Sequence, residues 1–417
     1  MSFSTRRRGR ARKQGRAFVV VVLGFACAAY GCLPMVAEGQ DHGQSHPVPG
    51  VPVVGQMCVV SQACPPAFPG EGKGVYLGAF VRPNYETALD NGAERKMAVL
   101  HYYSSWDLPA PISSLRLISK YGAVPLLDWA CGDETTTNGQ PQGDNGDLNI
   151  VSGLDNEMIF KYAQALAKYR KPVFLRWYWE MNLQDPTHED NGCDGSGTSG
   201  TNCVLSGGRV NLTPAQCFQA AWAHIWLIFH GQIGPIHGHT VDASNVAFVW
   251  CPSVDVDDWA EYWPGLSFVD WICADGYSPS PVDPSFASLF GPIYNWALQT
   301  DPAAPFMVGE TGSGGGPVHS SQGTVQETYL SGAVQAIVNG YQGQAAMSNV
   351  QALVYFDAVG KSNPNNPQQD WTLQPGLGFE EFCQIGTVFT FGEPPGKGGI
   401  RVPCFGIHNF PPPGKAH

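Results

Sequence analysis

The chain has 417 residues, 43% of them hydrophobic and 14% charged, and a formal net charge of −12. That is long and apolar enough for a sizeable core, and it excludes a disordered chain. Seven of the 23 basic residues fall within the first sixteen positions, so the remainder is more acidic still, which argues against nucleic acid and anionic lipid surfaces as partners.

Residues 1–38 read as a secretory signal. A basic run from Arg6 to Arg16 precedes an apolar stretch, Ala17 to Tyr30, that is short for a membrane-spanning helix. The paired arginines leave a twin-arginine route open, and Cys32 is a candidate lipid site although Ala29-Tyr30-Gly31 matches a lipobox poorly. Once the signal is removed, a secreted chain with no integral span is expected. Residues 39–74, rich in Gly, Pro and Gln, are expected to form an exposed lead-in. Ten cysteines lie beyond the signal, an even number that suits disulfides in an exported protein, and none has CxxC spacing. Cys58 with Cys64, and Cys193 with Cys203, would close short loops.

From Val75 onward, short apolar runs alternate with helix-like segments. The runs are Val75-Phe80, Met97-Tyr103, Ala123-Trp129, Pro172-Trp177, Val246-Trp250, Phe268-Ala274, Pro305-Val308 and Ala352-Phe356. Continuous apolar runs of this length predict parallel strands buried on both faces. Amphipathic stretches between them, such as Asn156-Arg170 and Gln216-His230, complete an α/β pattern. Eight such strands predict a (β/α)8 TIM barrel over residues 75–391; a doubly wound sheet would need a Gly-rich fingerprint after the first strand, which is missing. Asn182-Gly208 reads as an insertion forming a cleft wall, and residues 392–417 as a Pro/Gly-rich tail over the surface.

Polar and aromatic residues gather at the strand ends, where barrel enzymes keep their chemistry: His101, Trp106, Asp128, Trp129, Arg176, Trp179, Glu180, Asn182, Trp250, Asp275, Tyr277, Glu310 and Asp357. Glu180 closes the fourth strand among aromatics and near Arg176, a setting in which burial and charge tune a carboxyl. Glu310 closes the seventh beside glycines. Two carboxyls ~5–5.5 Å apart suit a retaining glycosidase, one protonating the leaving oxygen while the other attacks the anomeric carbon.

The segment Arg176-Trp177-Tyr178-Trp179-Glu180-Met181-Asn182 resembles the Arg-x-x-His-Glu-Met-Asn motif of glycoside hydrolase family 26, the β-mannanase family. Trp250-Cys251-Pro252, Asp275-Gly276-Tyr277 and Gly309-Glu310 follow in the family's order. The resemblance implies a clan-A barrel and a retaining mechanism, with Glu180 as acid/base, Glu310 as nucleophile and Tyr277 beside the nucleophile. The family's His before the acid/base is Trp179 here, at a position the family sets beside the −1 sugar, and this bears on which β-glycan is taken. β-Mannan comes first, then β-glucan or β-xylan.

Other substrate contacts are expected from Arg176, Trp179 and Asn182, though Arg176 could support Glu310 or simply be an ion pair inside the barrel, and Asn182 could simply turn the chain. Asp128 and Asp275 could be site residues or loop anchors. Trp106, Trp250 and Trp371 could be packing or sugar platforms, with at least one platform among the aromatics. His237-Gly238-His239 lacks further ligands at metal spacing, and Asp255, Asp257 and Asp258 read as a solvated loop, so neither a metal nor an organic cofactor is expected. A polysaccharide or oligosaccharide is the expected partner and a monomer the expected state. A non-catalytic carbohydrate-binding barrel and a transglycosylase are the competing readings.

Overall fold

Each of the eight apolar runs forms a strand in the computed structural model. The structure describes residues 75–81, 97–106, 108–130, 136–137, 140–141, 146–183, 203–205, 210–278, 285–314, 325–339, 346–358, 371–373, 382 and 385, with backbone alone at 136–137, 140–141, 146, 203–205 and 210–211. The expected signal segment, lead-in and tail, the span 184–202 of the expected insertion, and Cys58, Cys64, Cys193, Cys383 and Cys404 lie outside these residues.

The barrel strands are β1 (Tyr76–Val81), β2 (Val99–Ser104), β3 (Val124–Trp129), β6 (Val173–Trp177), β9 (Val246–Trp250), β10 (Trp271–Ser278), β11 (Phe306–Ser313) and β12 (Val350–Asp357). All neighbours pair in parallel, and β12 pairs with β1 to close the ring. Two short antiparallel hairpins stand beside it: β4 (Thr136–Thr137) with β5 (Gln140–Pro141), and β7 (Cys203–Leu205) with β8 (Val210–Leu212). The helices are α1 (Ile112–Tyr121), α2 (Gly146–Ser152), α3 (Asn156–Tyr169), α4 (Pro214–Phe229), α5 (Phe286–Thr300) and α6 (Val325–Val334), the last continued by a π-turn over Gln335–Asn339. The protein is a (β/α)8 TIM barrel. No helix among the described residues is long and apolar enough to cross a membrane.

Strand alternation sorts the core into two layers. Inward residues such as Val99, Leu126, Phe174, Val249, Trp271, Met307 and Val354 fill the barrel. Outward residues such as Leu127, Trp129, Trp177, Phe248 and Trp250 pack under the helices. Trp177 stacks on Phe218 of α4, and Trp129 on Tyr162 of α3, at centroid distances of 5.5 and 4.0 Å. α4 starts cleanly because Thr213 and Gln216 form a reciprocal capping box with Pro214 in the first turn. α3 buries Ile159, Phe160, Tyr162, Ala163, Leu166 and Tyr169 on one face.

β10 and β11 run further than their apolar cores. The expected runs Phe268-Ala274 and Pro305-Val308 give strands that continue through Asp275-Gly276-Tyr277 and Glu310-Thr311-Gly312. Their backbones stay paired, Asp275 with Glu310 and Tyr277 with Gly312, so polar side chains are carried on the strands themselves.

Candidate active site

Period-two alternation turns His101 and Tyr103 of β2, Asp128 of β3, Arg176 of β6 and Asp275 and Tyr277 of β10 toward the barrel axis at its C-terminal mouth. Glu310 joins them by a different route. The register pairs Ala274 with Val308 and then Asp275 with Glu310, leaving Gly309 as an extra residue on β11. This bulge reverses the parity and aims Glu310 inward. A Cβ on Gly309 would stand 2.4 Å from Cys273 Sγ and 2.8 Å from both Arg176 Nη1 and Asp275 Oδ1, so only glycine fits.

Arg176 is the hub. Fully buried, it donates from Nε to Asp128 Oδ1 at 2.8 Å and from Nη1 to Asp275 Oδ1 and Oδ2 at 2.7 and 2.6 Å. Its Nη2 contacts Asp128 Oδ2, Glu310 Oε1 and, at 3.3 Å, His101 Nε2. Burial works against its charge, but Asp128, Asp275 and Glu310 outweigh this and raise its pKa well above the usual value. One guanidinium cannot neutralise three carboxylates. Burial opposes the charge on Asp128 too, yet Arg176 and His101, whose Nε2 is 2.7 Å from Asp128 Oδ2, hold its pKa low. Burial, with Glu310 and Asp128 adding to it, pushes Asp275 well up.

Three donors converge on Glu310. Tyr103 Oη donates to Oε1 at 2.8 Å, Tyr277 Oη to Oε2 at 2.5 Å, and Arg176 Nη2 completes the set. Burial and the Glu310 charge raise both phenols well above their ordinary value, so both stay protonated. Glu180 sits on the turn after β6, 7% exposed. It and Tyr178 hold left-handed backbones, φ 53° and 49°, which side chains bearing a Cβ rarely adopt. The Glu180 N–H donates to Cys251 O at 2.8 Å, and the Tyr178 N–H to Trp129 O at 3.0 Å, fixing the turn. Burial first, then the charges of Asp275 and Glu310, push the Glu180 carboxyl well above the usual range.

Trp179, 8% exposed, tilts against Tyr103 at 5.1 Å and lies 5.9 Å from the Arg176 guanidinium carbon. Trp371 lines the Tyr277 side, its ring 4.9 Å from that of Tyr277. Asp357 Oδ1 accepts from the Leu373 N–H, and Tyr355 Oη donates to Trp371 O, tying residues 371–373 to the end of β12.

Five of the candidate substrate contacts are instead held in contacts within the protein. The Asn182 amide donates to Ser253 O and Val256 O and accepts from the Ser253 N–H, which makes it a loop anchor. Asp128 and Asp275, both wholly buried, bind Arg176 beneath the mouth. Trp250 faces outward, touching Trp263 and Trp296 at 5.0 and 5.5 Å and donating to Tyr262 O, because alternation from inward Val249 turns it to the helix layer. Trp106 likewise stacks on Trp129 at 4.3 Å. Tyr103 also reaches the site, although the run Met97-Tyr103 reads as a core strand. The signal was its spacing of two from His101.

Among the described residues, two triads have metal-ligand types within reach of one another, His101 with Asp128 and Glu310, and Cys251 with Cys273 and Asp275. Arg176 donates to Asp128, Glu310 and Asp275 and approaches Cys251 Sγ to 3.4 Å, so a guanidinium already supplies the positive charge both groups would ask of a cation.

The sequence matches no family model and no curated protein. The fold is similar to that of a β-mannanase from a symbiotic protist of the termite Reticulitermes speratus, at 12% identity and TM-score 0.49, over 77% of this chain and 88% of that one. It is also similar to a modular endo-β-1,4-mannanase from Cellulomonas fimi, at 15% and 0.49, over 77% and 72%. A third similar structure is a β-mannanase from Bacteroides ovatus, at 13% and 0.48, over 76% and 90%. Identities this low leave residue roles to the geometry of this chain.

Proposed function

We propose that the chain is an exported retaining endo-β-glycanase, with β-mannan as first substrate and β-glucan or β-xylan as alternatives on the same scaffold. Its signal is residues 1–38 and its catalytic barrel residues 75–391. Glu310 is the nucleophile and Glu180 the acid/base. The observation that carries the reading is the unlike setting of two glutamates in one mouth. Three donors orient Glu310, while burial and neighbouring negative charge favour a protonated Glu180.

Glu310 attacks the anomeric carbon while Glu180 protonates the departing oxygen; Glu180 then takes a proton from the water that releases the glycosyl group. Arg176 and Tyr277 orient the nucleophile, Trp179 walls the sugar site, and Trp371 is the aromatic best placed to extend it. Reducing-sugar release would be measured on β-mannan, mixed-linkage β-glucan, cellulose, β-1,3-xylan and β-1,4-xylan, for the wild type and Glu310→Ala. Release on one polymer that vanishes in the variant is expected. Polymer binding without release from any of them would overturn the hydrolase in favour of a carbohydrate-binding barrel.

A further inference from the structure

Beneath the two glutamates, the seam between β9 and β10 is weakly laddered. Only two residue pairs register along it, Trp271 with Val249 and Ile272 with Trp250. One further bridge, Ser253 with Asp275, lies beyond a gap, and the gap is occupied by Cys251 and Cys273. Both are wholly buried, both face the barrel axis, and a disulfide joins them.

Each cysteine touches the carrier of one glutamate. Cys251 O receives the Glu180 N–H, and Ser253, two residues on, is gripped through both its N–H and its C=O by Asn182. The segment 251–253 is therefore the platform for the strained turn that holds Glu180. On the other side, Cys273 Sγ lies against Gly309, the bulge residue that aims Glu310, so closely that no side chain fits there. Cys273 also stands two residues from Asp275, which binds Arg176.

We propose that the Cys251–Cys273 disulfide is a positioning device, which fixes the platform of Glu180 relative to the bulge that carries Glu310. The proposal rests on the two-glutamate reading. The bond closes at the one step skipped between the Ile272–Trp250 pair and the Ser253–Asp275 bridge, where Pro252 has no N–H to donate, at the height of the strand ends where spacing between carboxyls governs the reaction. Its formation removes one proton and one electron from each thiol. An external disulfide accepts them, its own S–S bond breaking to give two thiols as the new one forms. Were both cysteines thiols instead, the Cys251 S–H would donate to Asp275 Oδ1, 3.1 Å away.

The test has two parts. Protein purified without reductant is alkylated in denaturant, before and after reduction, and its peptides are mapped by mass. The peptides bearing Cys251 and Cys273 should be linked to each other and alkylate only after reduction; two free thiols, or zinc bound in stoichiometric amount, would overturn the proposal. Cys251→Ala, Cys273→Ala and the double variant are then assayed on the polymer the wild type cuts fastest, with folding followed by circular dichroism. All three should lose about tenfold or more in kcat with KM within about twofold, and the alkaline limb of kcat/KM should move. The double should be no worse than either single, because the same bond is lost. Losses that add, or a folded double variant with wild-type kcat and pH profile, would assign the pair to packing. Should the variants not fold, wild type reduced just below its unfolding temperature and reoxidised with oxidised glutathione serves instead. Its rate should fall and return in step with the linkage, and a rate indifferent to the linkage overturns the proposal. A wild type that cuts no glycan overturns the proposed activity and the positioning role with it, while the mass map still decides the linkage.

Discussion

Glu310 receives hydrogen bonds from Tyr103, Tyr277 and Arg176, and each can be removed singly. A hydrogen bond to a charged group contributes about 1.5–3 kcal/mol, so Tyr103→Phe should lower kcat/KM by roughly 10- to 100-fold without unfolding the barrel. An unchanged rate would show that the phenol only packs against Trp179. Glu180 makes a prediction with a sign. A general acid works while protonated, and burial with the Asp275 and Glu310 charges raises its pKa, so activity should persist above the ordinary carboxylate range and fall only at higher pH. In Glu180→Ala that alkaline limb should vanish. Polysaccharide turnover should drop by about 10²–10⁴, while aryl glycosides whose leaving group needs no proton should still react in the first step. A variant with wild-type rates on polysaccharide would remove Glu180 from the mechanism.

At the scale of elements, β11 is the decisive strand. Simple alternation from inward Met307 would point Glu310 at the helices, and the bulge at Gly309 turns it into the mouth. Gly309→Ala should therefore displace either the bulge or the sulfur and guanidinium against it, abolishing activity while circular dichroism still reports a folded barrel. A fully active Gly309→Ala enzyme would refute the tight contact. The eight strands were legible because each is a short apolar run, and α3 and α4 because their apolar residues recur at helical spacing. The extensions of β10 and β11 were not, since polar residues normally end a buried strand. They continue here because Arg176 satisfies Asp275 beneath the mouth and, with the two tyrosines, satisfies Glu310 within it.

For the whole molecule, buried carboxyls tie stability to pH. Burial raises Asp147 on α2 to about 7, and Asp270 at the base of β10 to about 7 despite accepting from the Phe248 N–H. A carboxyl whose folded pKa lies above its unfolded value binds its proton more tightly in the folded state. Its stabilising contribution is full below pH 4 and is lost as pH rises through about 7, at most about 1.4 kcal/mol for each unit between the two values. The melting temperature should fall from pH 5 to pH 8. The fall should be smaller in Asp147→Asn, which keeps the shape and removes the proton linkage. Equal falls in both proteins would mean that Asp147 does not couple folding to protons.

Read alone, the residues determined the parallel α/β order, the eight-strand barrel and the two glutamates after its fourth and seventh apolar runs. Those features are local: apolar runs set the strands, and chemistry-bearing residues follow them in the chain. Tertiary structure alone decided which side chains share the mouth. It sent Trp250 and Trp106 to the helix layer, gave Asn182 to a loop, and set Asp128 and Asp275 beneath the site as partners of Arg176. It also added Tyr103, whose place beside Glu310 depends on a contact 207 residues along the chain. Such contacts depend on barrel closure and on one inserted glycine, and neither the direction of a side chain nor its distant partner is written in the residues next to it.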